Sequence, residues 1–239
     1  MLAVSERGKG NWLTRRRAFF GRRSAEPRES GNPWLSIPAA DYEGHMGHSD
    51  VRQLQFLNRV FREILGAFHP GSIAVLGCST GNGFEHIDTD ITRCIIGIDI
   101  NREYLRVLES RFGQSISGLK LLCSDITGCE LELQSIDLVH CALILEYVGP
   151  SIVVEKAASW LRPGGCLSVV LQLASTAHDT VTDTGVESVK RLEPIMRLIE
   201  PEELGRIAGK AGLRGTSSRV DTLESGKQFY VGLYEKPGT

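Results

Sequence analysis

From residue 73 onward, short runs that are almost wholly apolar alternate with stretches whose apolar residues recur every three or four positions. The runs are Ile73–Leu76, Cys94–Ile98, Leu119–Cys123, Ile136–His140 and Leu167–Leu171. A strand that is apolar at successive positions, rather than at every second one, is buried on both faces, as parallel strands between helix layers are. The stretches 101–112 and 151–161 read as helices. Strand, helix and strand in succession predict an α/β, doubly wound, mostly parallel sheet. Ahead of it, Leu54, Leu57, Phe61, Ile64, Leu65 and Phe68 form one apolar face of a helix over 49–68, widened by Phe56 and Val60. Ser49 or Asp50 is its expected N-cap, and His69-Pro70-Gly71 its stop.

The last part of the chain changes pattern. Residues 201–211 read as a helix with Pro201 in its first turn and Gly212 as its stop. Strands over 214–221 and Gln228–Glu235 follow, joined by a tight turn at Leu223–Gly226, so the open sheet closes with an antiparallel strand. Residues 174–200 are polar at first and then hold short helical turns over Val186–Leu198, interrupted by Pro194. An excursion of this length over the mouth of a doubly wound sheet is expected to act as a lid. Residues 1–31, rich in arginine, read as a disordered basic arm. The expected units are therefore that arm, an N-terminal lid and helix over 32–70, and an α/β domain over 71–239.

Composition narrows the function classes. Of 239 residues, 41% are hydrophobic and 23% charged, with a formal net charge of -2. That balance supports a sizeable core and gives no overall pull toward nucleic acid or an anionic membrane. No apolar run reaches the length of a membrane span. The six cysteines contain no CxxC pair, and several sit inside strand-like runs, which fits buried free thiols in a reducing, cytoplasmic setting. His45 with His48, Glu85 with His86, and His178 with Asp179 are pairs without a convergent third ligand, so no metal site is assigned.

Three strand ends carry candidate chemistry. Ile73–Leu76 runs into Gly77-Cys78-Ser79-Thr80-Gly81-Asn82-Gly83, a glycine-bearing turn where a ligand can touch the backbone, with a helix expected to follow and offer amide donors. The next strand ends in Asp99, about twenty residues after Gly77, the separation that brings a carboxylate to a ribose hydroxyl pair. Asn101 can cap the following helix, which would leave Asp99 free for that task. The third strand ends at Ser124-Asp125-Ile126, where a carboxylate can accept from an exocyclic amine and an amide can face a ring nitrogen.

The run Ile136–Val148, followed by Leu161-Arg162-Pro163-Gly164-Gly165 before a further strand, completes a resemblance to the class I S-adenosylmethionine-dependent methyltransferases from about residue 50 to the end. That resemblance implies a seven-stranded sheet, with S-adenosylmethionine as methyl donor and S-adenosylhomocysteine as product. It places Gly77, Cys78, Ser79 and Gly81 around the methionine moiety, Asp99 with Ile100 at the ribose, Asp125 and Ile126 at the adenine, and Cys141 near the sulfonium. Asp41–Met46 resembles the N-terminal lid of small-molecule members, with Tyr42, His45 and Met46 closing over the donor. Val75 and Ser79 depart from the family, which usually has an acid and a glycine there.

A sulfonium methyl is already activated, so alignment and exclusion of water are the main tasks. His140 and Glu146, after the fourth strand, are the candidate catalytic groups, His140 as a base and Glu146 as a substrate contact. No Asn-Pro-Pro-Tyr-like run follows that strand, which argues against methylation of nucleic-acid bases and favours a small-molecule acceptor. Two other readings compete. A non-catalytic module would explain Val75 and Ser79. A nicotinamide-dependent dehydrogenase would explain the glycine spacing, but no Tyr-x-x-x-Lys pair starts at Tyr147.

Overall fold

The computed structural model describes residues 31–175 and 179–238. Apart from Gly31, the expected basic arm lies outside them, as does His178. Seven strands form one sheet: β1 Ser72–Leu76, β2 Cys94–Asp99, β3 Leu119–Cys123, β4 Ile136–Ala142, β5 Leu161–Gln172, β6 Arg214–Thr222 and β7 Gln228–Glu235. Their order is β3-β2-β1-β4-β5-β7-β6. β7 runs antiparallel to both neighbours, and the pairs from β3 to β5 are parallel. The α/β, doubly wound expectation with an antiparallel C-terminal strand is met. The nicotinamide-type sheet, in the order 3-2-1-4-5-6, has no place for that inserted strand.

Two helix layers cover the sheet. On one face α2 (Gln53–Phe68) and α3 (Arg102–Phe112) contribute Phe56, Val60, Phe61, Ile64, Leu105 and Leu108 to a core with Ile73, Val75, Ile95 and Leu138. On the other, α4 (Pro150–Trp160) and α6 (Pro201–Lys210) pack Val153, Val154, Ala157, Leu204 and Ala208 on Ala74, Leu76, Val139 and Leu167. Prolines at the first turns of α4 and α6 give up no helical hydrogen bond there. Asn101 caps α3 by accepting from the amides of Glu103 and Tyr104. The parallel register pairs Leu76 with Ile98 and Cys141, and Asp99 with Cys123, so four strands end along one edge.

Four local expectations are corrected. α2 begins at Gln53, because the amides of Val51 and Arg52 both donate to the His48 carbonyl and Arg52 turns left-handed at φ +50°. Ser49 and Asp50 therefore lie in that turn and do not cap the helix. Residues 39–47 form a helix, α1, where only a lid-like segment was expected. No α-helix follows the glycine loop. Gly81 and Gly83 take φ of +88° and +90°, and only a 3-10 turn at Phe84–His86 forms. A Cβ on Gly83 would meet Phe61 Cδ1 at 2.8 Å, so the loop packs directly against α2 and offers no helix N-terminus. Finally, β5 starts at Leu161, with the proline and glycines of 163–165 absorbed at a register shift against β4.

Residues 186–198 do form short turns: α5 at Glu187–Lys190 and a 3-10 turn at Glu193–Ile195. Among the described residues, no helix is long and apolar enough to cross a membrane.

Candidate active site

A cavity of roughly 320 Å³ opens where β1 to β4 end. Gly77, Ser79, Asp99, Ile100, Asp125, Ile126 and Tyr42 line it, all of them expected site residues. The sequence separates them by as much as 84 positions from Tyr42 to Ile126; the strand ends bring them together.

Asp99 organises the floor. Its Oδ2 accepts from the Ser79 amide at 2.9 Å and its Oδ1 from the Asn101 amide at 2.8 Å. Burial pushes its pKa above the ordinary carboxylate value, and the backbone hydrogen bonds pull the other way. An ionised carboxylate offers about four lone-pair directions, so acceptor capacity remains for a hydroxyl pair. Ser79, at the family's glycine position, takes φ +49° and so keeps the turn a glycine would make, at a backbone cost of about 1–2 kcal/mol. Its Oγ is buried and close enough to the Tyr42 hydroxyl to pull that group's pKa down against the effect of burial. Gly77 is held by its amide on the Ile98 carbonyl at 2.9 Å, and a Cβ there would meet Ile144 at 3.0 Å. At the third strand end, Asp125 Oδ1 accepts from the Thr127 amide and hydroxyl, both at 2.8 Å, leaving its other oxygen uncommitted.

The roof comes from two distant segments. Trp34 meets Tyr147 edge-on at 5.0 Å and Tyr42 at 6.1 Å, and Tyr42 lies 5.3 Å from Tyr104. Ile37, Val189 and Leu192 form a small core with the Trp34, Tyr42 and Tyr147 rings. Ser188 Oγ donates to Asp41 Oδ2 at 2.6 Å, and His45 Nδ1 lies 2.8 Å from Thr184 Oγ1, so α1 and the 180–199 segment close on each other. Glu43 ties α1 to the floor: it accepts from Thr80 Oγ1 and from Arg111. Arg111 holds the Glu43 carboxyl below the usual range. Burial pushes the Tyr42 hydroxyl up to about 12, so it stays a neutral donor.

The end of the cavity under α1 is polar in a different way. Gln53 Nε2 donates to Gln172 Oε1 at 3.3 Å, and Gln172 Nε2 donates to the Thr180 carbonyl at 2.8 Å. Lys227, from the turn before β7, reaches the same carbonyl at 3.2 Å. His45, Met46 and Thr182 complete this end. Burial, with the nearby Lys227 and His48, lowers the His45 pKa to about 4. Lys227 and the two glutamines escaped the sequence reading, since nothing local marks a hairpin lysine as buried.

Several expected residues stand elsewhere. His140 is in the core, stacked on Phe61 at 4.6 Å with its Nδ1 3.1 Å from Ser168 Oγ. Burial lowers its pKa to about 4, and it does not line the cavity, so the base role is withdrawn. Cys141 and Cys78 are also buried away from the cavity, with Cys78 Sγ turned toward Gly97. Gly81 is needed for packing: a Cβ would meet Leu108 at 2.9 Å and Phe112 at 3.0 Å. Glu146 lies behind the wall, its Oε1 accepting from the Gln172 amide at 2.9 Å and its Oε2 buried without a partner. Burial raises its pKa to about 7. From behind the wall it holds the end of β5 through the Gln172 amide and does not line the cavity. Among the described residues, no group of three or more His, Cys, Asp or Glu side chains could hold a metal ion.

Residues 73–165 match a family model described as a methyltransferase domain. The chain has the class I methyltransferase fold. Solved structures extend the likeness beyond the domain's 73–165 core. The N-methyltransferase NodS from Bradyrhizobium japonicum WM9, in complex with S-adenosylhomocysteine, is similar at a TM-score of 0.63 and 15% identity, over 87% of this chain and 100% of that one. A SAM-dependent methyltransferase from Methanosarcina mazei gives 0.57 and 17%, over 74% and 98%. The [4+2]-cyclase SpnF gives 0.63 and 14%, over 79% and 84%. No curated protein matches the chain.

Proposed function

We propose that this methyltransferase binds S-adenosylmethionine in the cavity and transfers its methyl group to a small-molecule acceptor by in-line displacement. The observation that carries the reading is Asp99: a buried carboxylate pinned by two amides, facing a cavity with acceptor capacity to spare. The lining residues fit an adenosyl group in a second respect. Trp34 Nε1 and Tyr104 Oη are buried polar atoms without hydrogen-bond partners among the described residues, and each belongs to a residue of the cavity wall. Leaving such a group unpaired costs about 1–3 kcal/mol, which a bound ligand would recover.

When bound, the donor supplies a methyl carbon already activated by a positive sulfur. The chain's own residues then bind, orient and exclude water. Asp99 would accept from the ribose hydroxyls, Asp125 from the adenine amine, and the Ile126 amide would face a ring nitrogen. Gly77, backed by Ile144, leaves room for the methionine moiety against the backbone. The Trp34, Tyr42 and Tyr147 rings, locked to the 180–199 segment, cover the donor from solvent. No side chain on the wall is required as an obligate base, consistent with catalysis mainly by alignment.

Isothermal titration with S-adenosylhomocysteine tests this reading, with NAD as the comparison. Micromolar binding of the first and none of the second is expected. Absence of heat at high micromolar S-adenosylhomocysteine would instead support a scaffold without a working donor site.

A further inference from the structure

Lys227 is only 4% exposed, yet among the described residues its Nζ makes a single hydrogen bond, to the Thr180 carbonyl at 3.2 Å, and forms no ion pair. An ammonium has three donors, and a buried charge without a counter-charge is costly enough that a partner or a pKa shift is expected. Burial lowers the Lys227 pKa, with Asp179 pulling the other way from an exposed position. His45, 6% exposed, shares this end of the cavity, and its Nε2 has no partner among the described residues. The Oγ1 of Thr182, also on the wall, is buried and unpaired. The carboxylates of the wall, Asp99 and Asp125, belong to the strand ends that would hold the nucleoside. Lys227 and Thr182 also border a surface depression with Asp50, Asp179, Asp183 and Glu224, none of which forms an ion pair with Lys227 among the described residues.

We propose, resting on the methyl-donor reading above, that Lys227, Thr182 and His45 form an anion subsite that anchors an acceptor bearing a carboxylate. The wall contains one lysine and no arginine. One ammonium balances a single negative charge; a phosphate dianion would bring an excess that this end does not offset, and the planar fork suited to it is absent. An ion-paired, hydrogen-bonded carboxylate is also a weakened nucleophile, so the group serves as a handle while another atom of the acceptor faces the donor.

The test uses the full chain, free and saturated with S-adenosylhomocysteine, titrated with benzoate, benzamide and phenyl phosphate and followed by protein NMR. Benzoate is expected to bind at least tenfold more tightly than benzamide and more tightly than phenyl phosphate. Lys227→Gln should weaken benzoate at least tenfold and leave S-adenosylhomocysteine within threefold. Equal binding of benzoate and benzamide would overturn the subsite, and preference for phenyl phosphate would overturn its carboxylate selectivity. A tenfold loss of S-adenosylhomocysteine in Lys227→Gln would show that the lysine serves the donor's own carboxylate, again overturning the proposal. The benzoate–benzamide comparison needs no variant and stands even if Lys227→Gln fails to fold. It also stands if S-adenosylhomocysteine does not bind, a result that would count against the donor reading alone.

Discussion

The Ser79 amide donates to Asp99 Oδ2 at 2.9 Å, joining the loop after β1 to the end of β2. One carboxylate thereby fixes the loop and faces the cavity, so structure and ligand binding are coupled at a single side chain.

Asp99→Ala should expose that coupling. Two buried amides, of Ser79 and Asn101, would lose their acceptor, at a cost of about 1–3 kcal/mol each. Asp99→Asn keeps the shape and should cost less stability, while S-adenosylhomocysteine affinity falls more than tenfold in both. Denaturant unfolding and calorimetric titration of the two variants check this.

Ser79→Gly should separate stability from affinity. Relief of the left-handed serine, about 1–2 kcal/mol, is partly offset by glycine's unfolded-state entropy, about 0.5–1 kcal/mol. A net gain of about 0.5–1 kcal/mol is expected. Loss of the Oγ, which borders the cavity beside Tyr42, should at the same time weaken S-adenosylhomocysteine about threefold to tenfold.

Glu146 predicts a pH dependence. Its folded pKa, raised to about 7, lies above the unfolded carboxylate value near 4.3. Between these values the native state binds the proton and the unfolded state does not, so stability falls as pH rises. The contribution is complete below about pH 4 and lost above pH 7. Glu146→Gln should remove this slope and stabilise the protein at pH 8 by up to about 4 kcal/mol. Chemical denaturation across pH 4–8 measures it.

His140 predicts the opposite slope. With a folded pKa near 4 and an unfolded value near 6.5, it is protonated first in the unfolded state, so stability drops as pH falls from 6.5 to 4. His140→Phe should flatten that limb. At pH 7.5 it should cost about 1–3 kcal/mol through the stranded Ser168 hydroxyl. S-adenosylhomocysteine affinity should stay within threefold, in keeping with a core residue.

The strands were legible because both faces are buried, which leaves continuous apolar runs such as Cys94-Ile95-Ile96. Their terminal acids, Asp99 and Asp125, were legible for the same reason: a carboxylate just past such a run marks the strand's open end. Side-chain direction was not. Alternate residues of β4 serve opposite helix layers, Leu138 on the α2 side and Val139 and Cys141 on the α4 side. The cavity begins only beyond them, at Ala142 and Leu143. His140 and Cys141 were therefore placed one layer too far forward. α1 escaped because Gly44 and Gly47 and its sparse apolar positions leave no helical stripe. Lys227 escaped because its burial arises only when Thr180 folds over the turn before β7.

A crystal structure with S-adenosylhomocysteine tests the central claim most directly. The ribose hydroxyls are expected on the Asp99 carboxylate, with the adenine beside Asp125 and Ile126 and the homocysteine sulfur near Gly77. A nucleoside bound elsewhere, or one that leaves Asp99 without a ribose contact, would contradict the account.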